Sequence, residues 1–248
     1  MTYPPPSDGD PILVGRAIEK RYGRLLVLDS VEFVMGAGTA VGIVGPNGAG
    51  KTTLLDVLVG AQAPTSGSVH FRGVDVTSAG AADRCRMGIG RTHQVPRPFA
   101  DMTVFENVYV GATAGARLRG SAAYDRCLLV LELSGLLPLS NRRAMSLGLL
   151  HRKRLELARA VAAGPAVLLL DEIGGGLTDA EAEELLETIQ RLRAEGIAIV
   201  WIEHIVHVLV RAVDRLICMD AGRIIADGPP DEVLQDAKVI DAYLGRRE

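Results

Sequence analysis

The residues with the clearest chemistry are Gly45-Pro46-Asn47-Gly48-Ala49-Gly50-Lys51-Thr52. An apolar run, Ala40-Val41-Gly42-Ile43-Val44, precedes them. A helical pattern over 51–58 follows and is closed by Gly60. Glycines between a strand and a helix let backbone N–H groups converge on phosphate oxygens with no Cβ in the way. The helix start adds unpaired N–H donors and the positive end of its dipole. The spacing is that of a phosphate-binding loop. Lys51 can reach the β- and γ-phosphates of a nucleotide, and the Thr52 hydroxyl can ligate Mg²⁺. Candidate nucleotide contacts are Gly45, Pro46, Asn47, Gly48, Ala49, Gly50, Lys51, Thr52 and Thr53. The strand before and the helix after weigh against a glycine-rich turn that binds nothing.

A second site lies far along the chain. Val167-Leu168-Leu169-Leu170 reads as a buried strand that ends in Asp171-Glu172. Asp171 suits a Mg²⁺ contact, usually through water, and Glu172 suits the general base that orients and activates an attacking water. Acidic residues after a strand are often only turn residues; the phosphate loop earlier in the chain favours the functional reading. A further strand over 197–202 leads into Glu203-His204. A histidine there could reach a γ-phosphate and hold the transition state. His204 and His207 form an HxxH pair, but the sequence offers them no third metal ligand.

Composition narrows the field. Of 248 residues, 48% are hydrophobic and 23% charged, which supports a sizeable core and excludes wholesale disorder. Lys+Arg number 27 against 30 Asp+Glu, a net charge of −3, and only 4% are aromatic. Such a chain has neither the basic field nor the stacking surface of a nucleic-acid binder. Cys85, Cys127 and Cys218 lie far apart with no CxxC, which fits a reducing compartment and inert core or subsurface positions. No apolar run reaches the roughly 18 residues of a membrane span. Residues 1–10 are Pro-rich, lack a signal-peptide pattern and read as a disordered lead-in. Any membrane role must come through a partner.

Strands over 12–44, a turn and strand over 64–74, and strands alternating with helices after 155 predict a helix-covered, largely parallel sheet. The segment 95–154 is Ala-, Leu- and Arg-rich with helical spacing and reads as an inserted helical subdomain. The core is then discontinuous, 11–94 and 155–248. A charged helix is expected over 179–195. Strands over 215–219 and 223–226 flank Asp220-Ala221-Gly222, a tight hairpin turn. Arg142-Arg143 and Lys153-Arg154 read as solvated helix faces.

The order of these motifs resembles the ABC ATPases, the nucleotide-binding subunits of ATP-binding-cassette transporters, from about residue 12 to 245. The resemblance implies an α/β fold: a P-loop NTPase core with a parallel sheet, an N-terminal antiparallel β part and an inserted α-helical subdomain. It makes Tyr22 the aromatic that stacks on adenine. Gln94, in Gly90-Arg91-Thr92-His93-Gln94, becomes the glutamine that touches Mg²⁺ and senses the membrane partner. Gly175-Gly176-Leu177-Thr178 corresponds to the D-loop and His204 to the switch histidine. Met87-Gly88-Ile89-Gly90-Arg91-Thr92, Met102-Thr103-Val104-Phe105-Glu106-Asn107-Val108, Arg154-Leu155-Glu156-Leu157-Ala158-Arg159-Ala160 and Val239-Ile240-Asp241-Ala242-Tyr243-Leu244-Gly245 are similar to the branched-chain amino acid importer ATPases. The implied protein uses ATP and Mg²⁺. It sits peripherally on the cytoplasmic face of the plasma membrane, docked on transmembrane permease subunits, with residues 95–107 facing them. A solute-binding protein takes part indirectly.

The signature segment departs from the family. A Leu-Ser-Gly-Gly-Gln-like stretch is usual; here the chain reads Met145-Ser146-Leu147-Gly148-Leu149-Leu150-His151-Arg152-Lys153-Arg154. Counting back from Ala158-Arg159 puts Gly148 at the serine position; matching Ser146-Leu147-Gly148 instead needs two extra residues before the helix. Both registers stay open. In this family each ATP lies between one subunit's P-loop and the other's signature, so the change falls on a partner's site. A heterodimer with a second, different ABC ATPase is expected over a homodimer. Competing readings are a soluble ABC ATPase of DNA repair or translation, a nucleotide-binding regulatory subunit that does not turn over ATP, and another P-loop enzyme. The Asn-Lys-x-Asp guanine reader of a GTPase is absent.

Overall fold

The computed structural model describes residues 11–244. The expected lead-in, 1–10, lies outside them. The chain begins with two long antiparallel strands, β1 (Pro11–Tyr22) and β2 (Leu25–Gly36). β3 (Ala40–Val44) runs into the glycine-rich loop and α1 (Lys51–Val59), which ends on Gly60. β4 (Ser66–Phe71), β5 (Val74–Asp75), α2 (Ala81–Met87) and β6 (Ile89–Arg91) follow. Next come α3 (Val104–Val110), which continues into a π-turn, then α4 (Gly120–Leu133), two 3₁₀ turns, and α5 (Leu149–Ala162). The remainder is β7 (Val167–Asp171), α6 (Asp179–Ala194), β8 (Ala198–Ile202), α7 (Val206–Leu209), β9 (Arg215–Asp220), β10 (Arg223–Gly228), α8 (Pro230–Gln235) and α9 (Ala237–Leu244).

Two sheets result. The smaller, in the order β2-β1-β4-β5, is antiparallel; the larger, in the order β10-β9-β3-β8-β7-β6, is parallel except for the β9–β10 hairpin. That hairpin turns through Ala221 and Gly222, both at positive φ, as a two-residue connection requires.

The strands β3, β7 and β8 are buried at every position, which is why they read as unbroken apolar runs. Their alternation sorts side chains between two cores. Val41, Ile43, Leu169, Val200 and Ile202 face the small sheet and α1. Val44, Leu168, Leu170 and Trp201 face α5, α6 and the insert. The large sheet is thus the middle layer, and the loops at its strand ends are held by packing on both sides.

The sequence reading missed α2 and β6, which are short, and started the helix after the signature too late: α5 begins at Leu149, inside the segment assigned to the insert. It also erred on Lys153. That side chain is 4% exposed, and burial lowers its pKa against the opposing charge of Glu203. α5 packs against α3, α4, α6 and β6, and Lys153 falls on the covered side whereas Arg152 stays exposed. Cys127 and Cys218 are buried and Cys85 half-buried; burial pushes the first two thiols up to about 11.

Candidate active site

Four adjacent parallel strands, β3, β8, β7 and β6, end on the same side of the large sheet. Each delivers one expected group there: the phosphate loop after β3, His204 after β8, Asp171-Glu172 at the end of β7, and Gln94 just after β6. The carboxyl edge of a parallel sheet is the usual place for a ligand in α/β folds.

The loop's shape depends on glycine. Gly45 sits at φ 143° and a Cβ there would collide with the Met219 carbonyl oxygen of β9. Gly50, at φ 99°, would bring a Cβ to 2.9 Å from the Val27 carbonyl oxygen. Gly50 caps α1 with no side-chain bond, so the first N–H groups of the helix have no capping partner and face the loop. The space where a Gly48 Cβ would stand is open. A pocket of ≈ 200 Å³ is lined by residues 47–53 together with Val27 and Glu172.

Lys51 is 6% exposed. Its Nζ donates to the carbonyl oxygens of Gly45 at 2.6 Å and Pro46 at 3.1 Å. Burial lowers its pKa, with Glu172 the largest opposing charge. Thr52 is exposed at the second helical position.

The acidic pair has two fates. Asp171 is buried, and burial raises its pKa against the hydrogen bond and charge of Arg91. The guanidinium of Arg91 donates to Asp171 Oδ2 at 2.9 Å and also holds Asp56 of α1. Glu172 adopts φ 48°, a conformation that non-glycine residues hold only when the surroundings impose it. Its backbone N–H is pinned to Ile202 O at 2.9 Å. Its carboxylate is shared: Oε1 lies 2.8 Å from His204 Nε2, and Oε2 accepts from Gln94 Nε2 at 2.6 Å.

Buried Glu203 supports this geometry. Its Oε1 accepts the Gly174 N–H and its Oε2 accepts the His204 N–H at 3.0 Å. It therefore ties the turn after Glu172 to the end of β8. Beyond that turn, Thr178 and Glu181 form a capping box at the start of α6. Sequence reasoning gave no role to Arg91 or Glu203. A signal existed for Glu203, the first residue after the apolar run of β8; Arg91 gave none, because β6 is too short to carry an apolar run.

Tyr22 is not brought into the pocket wall, where Val27 stands instead. It is 46% exposed at the end of β1, with Lys20 Nζ 5.1 Å from its ring centroid. Gly148 is the N-cap of α5 and makes no side-chain cap. The Ser146 hydroxyl is turned back to the Arg143 carbonyl oxygen at 2.8 Å. Helix geometry thus places Gly148 at the helix mouth.

Residues 28–174, more than half of the chain, match the family model described as ABC transporter. The chain belongs to the ABC transporter family. The cassette's tail, residues 223–248, matches a second model, the branched-chain amino acid ATP-binding cassette transporter. The cassette is 35% identical over 250 residues to the high-affinity branched-chain amino acid transport ATP-binding protein LivG of Salmonella typhimurium, covering 95% of this chain and 98% of that one. A nucleotide-free ATP-binding cassette from an ABC transporter superposes with a TM-score of 0.86 at 30% identity, covering 96% of this chain and all of the other. A cassette in its ADP conformation gives the same values. The fold is the ABC ATPase fold, and the cassette is an ATPase of this transporter family.

The residues present fit a Mg²⁺–nucleotide. The cradle over Gly48 is open, and the cluster carries one hydroxyl and one buried carboxylate, Thr52 and Asp171. Mg²⁺ with a nucleotide takes only one or two protein oxygens, the rest coming from phosphate and water. Among the described residues no group of three or more His, Cys, Asp and Glu side chains could hold a metal without one.

Proposed function

We propose that the cassette is the ATP-hydrolysing motor of an importer for branched-chain amino acids or a related small polar solute. It docks peripherally on permease subunits at the cytoplasmic face of the plasma membrane. The observation that carries the hydrolytic reading is the carboxylate of Glu172, held between His204 and Gln94 beside the loop pocket. The matched tail and the names of the relatives support the solute class.

In this reading the N–H groups of the loop and of the start of α1, with Lys51, bind the phosphates. Thr52, Asp171 and Gln94 would hold Mg²⁺, which supplies charge neutralisation across the phosphates. Glu172 takes the proton of the attacking water, and His204 orients that carboxylate and steadies charge on the γ-phosphate. Positioning and electrostatics supply the catalysis. Tyr22, exposed at the end of β1 and outside the pocket wall, is free to stack on adenine only if the nucleotide base extends beyond that wall. Val95, Phe99 and Met102 are exposed apolar residues around the Gln94 loop, suited to a permease surface. Gly148 brings no hydroxyl to a partner's nucleotide, which favours a second, different ABC ATPase as the dimer partner.

The chain, tagged in its native cell and purified from gently solubilised membranes, tests this. Multi-span permeases and an equimolar second ATPase are expected by mass spectrometry. Recovery only from the soluble fraction, alone or with nucleic-acid proteins, would sink the transporter role.

A further inference from the structure

The C-terminal helix α9 touches the phosphate loop. The backbone N–H of Gly45 donates to the Tyr243 hydroxyl at 2.8 Å, across 198 residues of sequence. Gly45 is where the chain leaves β3, one residue beyond the last rung that pairs Val44 with Cys218 of β9. A backbone N–H at such an exit needs a partner from elsewhere, and here the tail supplies it. The same residue is gripped on its other sides: Lys51 holds its carbonyl oxygen, and the β9 backbone at Met219 closes against its Cα. The helix that carries Tyr243 is itself anchored, because Val239 is 3% exposed in the larger core. The Tyr243 ring remains 43% exposed, so apolar burial alone does not explain its placement.

These contacts differ in what a nucleotide would do to them. Lys51 must leave the Gly45 carbonyl to reach a phosphate. Tyr243 bonds the N–H of Gly45 rather than its carbonyl, and neither Gly45 nor Tyr243 lines the pocket formed by residues 47–53, so the Tyr243 bond can persist. We infer that Tyr243 is a positioning residue for the nucleotide loop: its hydroxyl, presented by α9, holds the point where the loop leaves β3, and docking of the C-terminal helix thereby sets nucleotide affinity. This rests on the reading of the loop as the nucleotide site. It gives the tail a task in the nucleotide cycle: a partner that lifts α9 weakens ATP binding without touching any phosphate contact.

The test compares the full chain with Tyr243→Phe, which removes only the hydroxyl, and with Ile240→Ala, an exposed change on the same helix. The readouts are titration with a fluorescent ATP analogue and Mg²⁺, the Gly45 amide resonance in the nucleotide-free ¹⁵N spectrum, and steady-state hydrolysis. Tyr243→Phe should raise the dissociation constant and KM about three- to tenfold, the effect of one neutral hydrogen bond. It should hold kcat within about twofold, shift the Gly45 amide and lower the melting temperature by no more than a few degrees. Ile240→Ala should move neither the affinity nor the amide. Equal affinity with an unmoved Gly45 amide would reduce α9 to packing. Tighter binding in Tyr243→Phe would make the tail a restraint and overturn the inference. A wild-type chain that binds no nucleotide removes the reading of the loop and this inference with it, whereas wild-type binding matched by Tyr243→Phe removes the inference alone.

Discussion

His204 Nε2 and Glu172 Oε1 lie 2.8 Å apart although the two residues come from different strand ends. Their strands are neighbours in exact register, Asp171 opposite Ile202, and Glu203 pins the turns that follow. The pairing is therefore a property of the sheet. With the other oxygen of Glu172 on Gln94, this carboxylate is the point where three loops meet. Glu172→Gln keeps size and hydrogen bonding but cannot accept a proton. Phosphate release should fall about 10²–10⁴-fold, the range of a lost general base, while binding of a fluorescent ATP analogue is retained. An undiminished rate would assign the proton to another group.

Arg91 joins the helix after the phosphate loop to the acidic strand, through Asp56 and Asp171. Its side chain is 14% exposed and that of Asp171 only 6%. Removing one partner of so buried a pair leaves an uncompensated carboxylate and costs about 3 kcal/mol or more. Arg91→Met should lower the urea midpoint accordingly. Arg91→Lys should recover only part of the loss, since an ammonium cannot serve both carboxylates as a planar fork does. Urea unfolding of the three proteins at neutral pH decides it; a midpoint unchanged in Arg91→Met would mean that the bridge is slack.

Much of this site was legible in the sequence because its groups stand directly after apolar strands, and a strand end is a local signal. The loop 45–52, Asp171, Glu172 and His204 needed no knowledge of the neighbours. The unread part is tertiary. Arg91 counted as one letter of a motif until β6 and α1 came together. Lys153 carries the look of a solvated face, since helical spacing does not say which charged positions the neighbouring helices cover. Tyr243 and Gly45 are related only through α9 folding back over β9. The register at Gly148 is open because both alignments satisfy the same composition; the structure adds that α5 starts just after Gly148.

The capping box before α6 gives the turn after Glu172 a pH-sensitive anchor. Hydrogen bonds from the Thr178 N–H and hydroxyl to the Glu181 carboxylate lower its pKa. A folded value below the unfolded one means that the contribution is complete above the ordinary glutamate range and is lost as pH falls through the lowered folded value. Glu181→Gln should therefore melt earlier than wild type at neutral pH, and the two curves should converge in acid. Melting temperatures measured across that range test the sign; a gap that widens on acidification would contradict it.

Gly148 stands at the mouth of α5, where one of the two registers of the ABC resemblance expects a serine. Glycine serves as an N-cap nearly as well as serine, with a difference of a few tenths of a kcal/mol, so stability gives little reason for a hydroxyl there. In the proposed dimer with unequal sites, the consequence of its absence would fall on the nucleotide held by the other subunit, which would lose a donor to the γ-phosphate. Gly148→Ser should leave the melting temperature almost unchanged. In a preparation where this chain is the sole ATPase, it should raise hydrolysis about tenfold or more, the scale of one donor to developing charge. In the presence of the second ATPase, the gain should be confined to the partner's P-loop, so inactivating that loop would abolish it. A wild-type chain that alone already hydrolyses ATP at the rate of Gly148→Ser would show that the hydroxyl is dispensable and remove the ground for unequal sites.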